Sequence, residues 1–164
     1  MSDIEKGKTA PDFALPALDG VRISLAERLA KGPVVAAFFK ISCPVCQFTF
    51  PYLQRLYERY GAANVSFLGV SQDNAKNTAK FCRDYGVTFP VLVDDEAYTA
   101  SNAYGLTNVP TFFLIAPDAT VEVAEMGFGK AALEEIAERL AEYRQMARQA
   151  LFAPSEVVPA HKPG

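Results

Sequence analysis

Apolar residues along this chain either gather in short runs or recur at three- and four-residue steps. Val34–Phe39, 65–70, Val91–Val93 and Thr111–Ile115 are runs rich in β-branched and aromatic residues. Such runs read as strands buried on both faces. Val121–Met126 begins with apolar/polar alternation, which suits an edge strand paired back across the turn Ala116, Pro117, Asp118 and Ala119.

Between the runs the period lengthens to that of a helix. Val45, Phe48, Thr49, Tyr52, Leu53, Leu56 and Tyr60 share one face, with Pro51 expected to kink it. Ala75, Thr78, Ala79, Cys82 and Tyr85 form a second face, stopped by Gly86. Leu133, Ile136, Ala137, Leu140, Tyr143 and Ala147 predict a last helix, the longest of the chain. Strands alternating with helices predict an α/β architecture with a largely parallel central sheet. Residues 1–151 are expected to form one domain. Residues 152–164 hold three of the eleven prolines and no period, and read as a tail.

Of the 164 residues, 50% are hydrophobic and 21% charged, the balance of a globular chain. A net charge of -3 without a basic stripe argues against nucleic acid as a partner. No apolar run reaches the ~18 residues of a membrane span. Residues 1–6 lack the apolar core of a secretion signal. The cytoplasm is therefore the expected compartment, or the periplasm if a leader has been removed. No glycine-rich phosphate loop is present, so no nucleotide cofactor is implied.

The chemistry gathers in "KISCPVCQFTFP", residues 40–51, where Cys43 and Cys46 bracket Pro44 and Val45 directly after the first long run. A zinc site would need further ligands, and only Cys82 and His161 remain, so no metal is expected. A structural disulfide across so short a loop would restrict the unfolded chain little. Redox exchange fits the spacing. A helix starting at Cys43 would aim its free N–H groups and positive dipole end at that sulfur, favouring the nucleophilic thiolate. Cys46, one turn on, is placed to attack a mixed disulfide formed at Cys43.

"FFKISCPVCQFTFP" resembles the strand–CxxC–helix unit of the thioredoxin superfamily. "GKTAPDFALPALDG" resembles the lead-in of its redoxin branch, which includes peroxiredoxins and the membrane-anchored thioredoxins of cytochrome c maturation. "VSQDNAKNTAKFCRDYGVTFPVLVD" resembles the strand–helix segment which that branch inserts, and "NVPTFFLIAPDATV" its cis-proline loop. The likeness spans about residues 8–143. It implies a thioredoxin-like α/β fold, a central mixed sheet flanked by helices, with the inserted strand–helix segment. It also implies thiol–disulfide oxidoreduction through Cys43 and Cys46 without a cofactor. The substrate would be a disulfide-containing protein or small molecule, and a separate thiol donor or acceptor would reset the pair. By the same resemblance, a cis peptide joins Val109 to Pro110 beside the cysteines, and the Val109 backbone positions the substrate.

The departures are equally informative. Thioredoxins bury an aspartate where this chain has Ala37, and the cytochrome-maturation branch often has a glutamate where it has Thr49. Proton transfer at the inner thiol then falls to water or to the Thr49 hydroxyl. Ser42 stands where many members have tryptophan. Its hydroxyl is a candidate contact for the Cys43 sulfur, with plain solvation the preferred reading. Lys40 is a candidate electrostatic modulator of Cys43, and again a lysine simply reaching water is preferred.

Two other classes stay in view. Peroxiredoxins place Thr or Ser three residues before the peroxidatic cysteine and Pro four before that. Counted from Cys43 those places hold Lys40 and Ala36, and counted from Cys46 they hold Cys43 and Phe39. Thiol peroxidase is thus the alternative activity, and a redox-inactive binding module on the same fold is the other. Intact Cys43, Cys46 and Pro110 argue against the module. Cys82 reads as a small buried hydrophobe rather than a resolving thiol, and His161 as a solvent-exposed tail residue.

Overall fold

A computed structural model describes residues 4–94 and 96–164; residues 1–3 of the polar start lie outside it. The chain runs through β1 (Ala14–Pro16), β2 (Arg22–Ser24), α1 (Leu25–Leu29), β3 (Val34–Phe39), α2 (Pro44–Tyr60), β4 (Ser66–Ser71) and α3 (Ala75–Tyr85). It continues through β5 (Val91–Val93), α4 (Thr99–Ala103), β6 (Thr111–Ile115), β7 (Val121–Met126), β8 (Phe128–Gly129), α5 (Lys130–Tyr143) and β9 (His161–Lys162).

Five strands form the central sheet in the order β5-β4-β3-β6-β7. β3 is parallel to β4, and β4 to β5, whereas β6 is antiparallel to both β3 and β7. The sheet is therefore mixed, as the resemblance implies, and not largely parallel as the strand–helix alternation alone suggested. The reason is local: no helix separates β6 from β7, and a tight turn with Ala119 at φ 74° returns the chain antiparallel. The inserted segment supplies α3 and the edge strand β5.

Pleating divides β3 between two cores. Val35, Ala37 and Phe39 face the layer of α2, α3 and α5, while Val34, Ala36 and Phe38 face α1, α4 and the β1–β2 hairpin. Cover on both faces explains why these strands carry unbroken apolar runs. The Phe39 ring lies 4.3 Å from Phe50 of α2 and 4.8 Å from Phe81 of α3. These contacts, each ring worth roughly 1.5–3 kcal/mol of burial, hold the start of α2 against the end of β3.

The helices depart from the pattern in three places. α3 buries Thr78, Phe81 and Cys82, while Ala75, expected on that face, is exposed at its start. α5 ends at Tyr143 instead of reaching Ala147, because Gln145 takes φ 53° and the Met146 N–H turns back to the Ala141 carbonyl. α2, with 17 residues against 14 in α5, is consequently the longest helix, and Pro51 sits inside it without ending it.

Residues 152–164 pack onto the domain. Phe152 is buried, Arg55 of α2 grips Glu156 through two hydrogen bonds of 2.7 and 3.0 Å, and β9 pairs antiparallel with β8. His161 is exposed. Among the described residues no helix is long and apolar enough to cross a membrane.

Candidate active site

Cys43 has extended backbone and is the N-cap of α2, with Pro44 in the first turn, where a missing N–H costs little and a fixed φ suits the helix. The capping role usually taken by a hydroxyl or carboxylate falls to the thiol: the Cys46 N–H donates to Cys43 Sγ at 3.1 Å. A helix-terminal donor thus points at the sulfur on which negative charge would develop. Cys43 is half-buried, Cys46 is fully buried, and both are free thiols.

Burial pushes the Cys46 thiol far above the ordinary range, and its hydrogen bond with Cys43 adds to this. The Lys40 backbone pulls the other way, while the charges of Cys43 and Asp73 push up again. The inner thiol therefore keeps its proton at neutral pH.

The loop entering α2 is pinned from a distance. The Ile41 N–H donates to Asp73 Oδ2 at 2.8 Å, Gln47 Nε2 donates to the Ile41 carbonyl at 2.9 Å, and the Cys43 N–H donates to the Lys40 carbonyl at 3.3 Å. Asp73, just beyond β4, is a positioning residue that the sequence reading did not single out. Its only signal was an acid inside the inserted segment.

Facing the cysteines, the Val109–Pro110 peptide is cis. The Cys43 thiol donates to the Val109 carbonyl at 3.5 Å. This loop is fixed by the Thr111 hydroxyl donating to the Asn108 carbonyl at 2.8 Å and the Gly127 N–H donating to the Pro110 carbonyl at 2.7 Å.

The remaining candidates divide by surroundings. Val45 is half-buried against the core, and its carbonyl accepts the Thr49 hydroxyl at 2.7 Å. The fully buried Thr49 thus bonds back to its own helix, and the hydroxyl expected to serve Cys46 is already engaged. Ala37 brings no carboxylate. Lys40, Ser42 and Pro44 are exposed. Lys40 lines a cleft of about 280 Å³ together with Gln72, Tyr98, Asn108 and Val109. Cys82 lies in the core, where burial pushes its thiol up to about 11. Among the described residues no group of three or more His, Cys, Asp or Glu side chains is placed to hold a metal.

A dithiol at the head of a helix on a mixed sheet, facing a cis-proline loop, defines the thioredoxin-like class. Within it, this chain belongs to the AhpC/TSA family, whose family model matches residues 6–124. It is 36% identical over 135 residues to the thiol-disulfide oxidoreductase ResA of Geobacillus thermodenitrificans, a match covering 82% of this chain and 75% of that one. Its structure is similar to that of a candidate thiol:disulfide interchange protein DsbE from Chlorobium tepidum. There the TM-score is 0.73 and the identity 27%, over 86% of this chain and 98% of the other. It is also similar to peroxidoxin BcpB from Mycobacterium tuberculosis, with TM-score 0.68 and 25% identity over 88% and 99% of the two chains.

Proposed function

We propose that this chain is a thiol–disulfide oxidoreductase in which Cys43 is the nucleophile and Cys46 the resolving thiol. The observation that carries this reading is a half-buried sulfur at a helix start, with a fully buried thiol one turn on whose N–H already points at it. The relatives named ResA and DsbE support the same activity.

In the reducing direction, the Cys43 thiolate attacks one sulfur of the substrate disulfide, forming a mixed disulfide and releasing the first substrate thiolate. Cys46 gives up its proton and attacks the Cys43 sulfur, releasing the second substrate thiolate and leaving a Cys43–Cys46 disulfide. Two electrons pass from the protein to the substrate, and a separate thiol restores the pair. Pro44 and Val45 set the spacing of the sulfurs, and the Val109 backbone beside Cys43 aligns the incoming disulfide. No organic cofactor takes part. Partners of this kind exist in the cytoplasm and in the periplasm, and cell fractionation decides between the two.

A thiol peroxidase is the second reading, favoured by the likeness to peroxidoxin BcpB. Lys40 and Ala36, standing where a peroxidatic loop carries its hydroxyl and proline, weigh against it. Mixing the reduced protein with hydrogen peroxide and with insulin under identical conditions tests both. Faster oxidation by the insulin disulfide is expected. Faster oxidation by peroxide overturns the proposal, and inertness to both and to a small disulfide such as bis(2-hydroxyethyl) disulfide leaves a binding module.

A further inference from the structure

Two groups approach the carbonyl oxygen of Val109. The Cys43 thiol donates to it at 3.5 Å. Residue 164 lies so close that a Cβ there would stand 2.4 Å from the same oxygen, an approach open only to glycine. Gly127, at φ 83°, provides matching room below: a Cβ on it would lie 2.2 Å from the Lys162 carbonyl oxygen and 3.0 Å from the Gly164 nitrogen. Asn108 Nδ2 donates to the Gly164 carbonyl at 3.3 Å, and the Lys130 N–H donates to the Ala160 carbonyl at 3.0 Å. The Lys162 ammonium lies 4.9 Å over the ring of Phe48 on α2, two residues beyond Cys46.

We infer that residues 160–164 form a strap over one approach to the dithiol, and that it discriminates between disulfides by size. This rests on the dithiol reading proposed above. An extended polypeptide carrying a disulfide to Cys43 has to run along the Val109–Pro110 backbone, the edge that the strap already touches. A small disulfide needs no such run of backbone, and Cys43, half-buried rather than sealed, stays within its reach. The exchange at sulfur is the same for both, and only access differs. The strap is held by a short strand pair, a few hydrogen bonds and one cation–π contact. It therefore lifts reversibly, and polypeptide disulfides react only in the lifted fraction.

The test uses the full chain with Gly164→Val, which forces residue 164 off the Val109 oxygen, and separately Lys162→Ala, which removes the contact with Phe48. Each reduced protein is mixed with bis(2-hydroxyethyl) disulfide and with insulin, and the second-order rate of Cys43–Cys46 oxidation is followed. Loss of hydrogen-exchange protection at the Lys130 amide marks lifting of the strap. In both variants the insulin rate should rise roughly two- to tenfold, the range for losing one such contact, while the small-disulfide rate stays put. An unchanged ratio of the two rates in both variants overturns the strap, and so does a parallel rise of both rates. Inertness of the unsubstituted protein to the small disulfide overturns the dithiol reading itself, and the strap with it.

Discussion

The backbone N–H of Cys46 donates to the sulfur of Cys43 across 3.1 Å, so the two residues are coupled before any disulfide forms. Their surroundings nevertheless separate them: Cys43 is half-buried at the helix start, while Cys46 is sealed and its proton is held chiefly by burial. A limiting amount of iodoacetamide should therefore label Cys43 first, as read by peptide mass mapping. Cys46→Ser should accumulate mixed disulfides with substrate, and Cys43→Ser should accumulate none. Labelling of Cys46 ahead of Cys43 would reverse the two roles.

Asp73 reaches the site through the Ile41 N–H, and its charge is among the causes that push the Cys46 thiol up. Asp73→Asn keeps an acceptor and removes the charge, so resolution should quicken modestly with stability nearly unchanged. Asp73→Ala also takes the acceptor from Ile41, costing about 1 kcal/mol and loosening the loop into Cys43, which should slow the first attack. Stopped-flow measurement of both steps, with urea melts, separates the variants. Identical behaviour would reduce Asp73 to a charge alone.

Cys82 gives a pH signature of a purely structural kind. Burial lifts its thiol from the ordinary 9.0 to about 11. The unfolded chain therefore ionises this thiol at a lower pH than the folded one. The resulting stability is whole below the unfolded value of 9.0 and is lost as pH climbs toward the folded one, about 11. Cys82→Ala should remove part of that alkaline loss, with Cys46 retaining the rest. It should lower stability at neutral pH by roughly 1 kcal/mol, the scale of a small core deletion. Urea melts across that pH range provide the check. Exchange rates should match the unsubstituted protein, and a collapse of turnover in a folded variant would make Cys82 a resolving thiol.

How legible all this was in the sequence depended on the range of the interactions involved. The central strands announced themselves because both faces are covered, and the paired cysteines because their spacing is one helical turn. The β1–β2 hairpin, α1 and α4 went unread, since three to five residues carry too little period to stand above the background. α5 was overextended because its apolar period continues past Tyr143, and only the positive φ at Gln145 breaks it. Asp73 pins Ile41 from 32 residues away, and Arg55 meets Glu156 across 101. Such pairs leave no local trace. The packing of residues 152–164 against the site was hidden for the same reason: glycines at 127 and 164 have meaning only once the backbones they admit are side by side.

Proton supply to Cys46 is the least provided step of the proposed cycle. To resolve the mixed disulfide the buried thiol must ionise, and every cause but the Lys40 backbone opposes that. The hydroxyl one turn on, at Thr49, donates to the Val45 carbonyl at 2.7 Å, and Ala37 has nothing to offer. With so high a thiol pKa, the reactive form is scarce at neutrality and grows about tenfold with each pH unit, so the resolution rate should climb with pH. Thr49→Glu places a carboxyl three residues on from Cys46, on the same helix face. Burial will raise the pKa of that carboxyl toward neutrality, as a proton carrier requires. The gain near neutral pH should fall at the low end of the ~10²–10⁴-fold typical of a positioned acid or base, because the surrounding pocket is apolar. The substitution also removes the Thr49–Val45 hydrogen bond and buries a carboxyl without a partner, which should lower stability by about 1–3 kcal/mol. Single-turnover decay of the Cys43 mixed disulfide, followed against pH in both proteins, tests the idea. The unsubstituted profile should rise through neutrality while the Thr49→Glu profile flattens above it. Coincident profiles would mean that another group already carries the proton, and Asp73, whose charge Cys46 already feels, would be the first to replace.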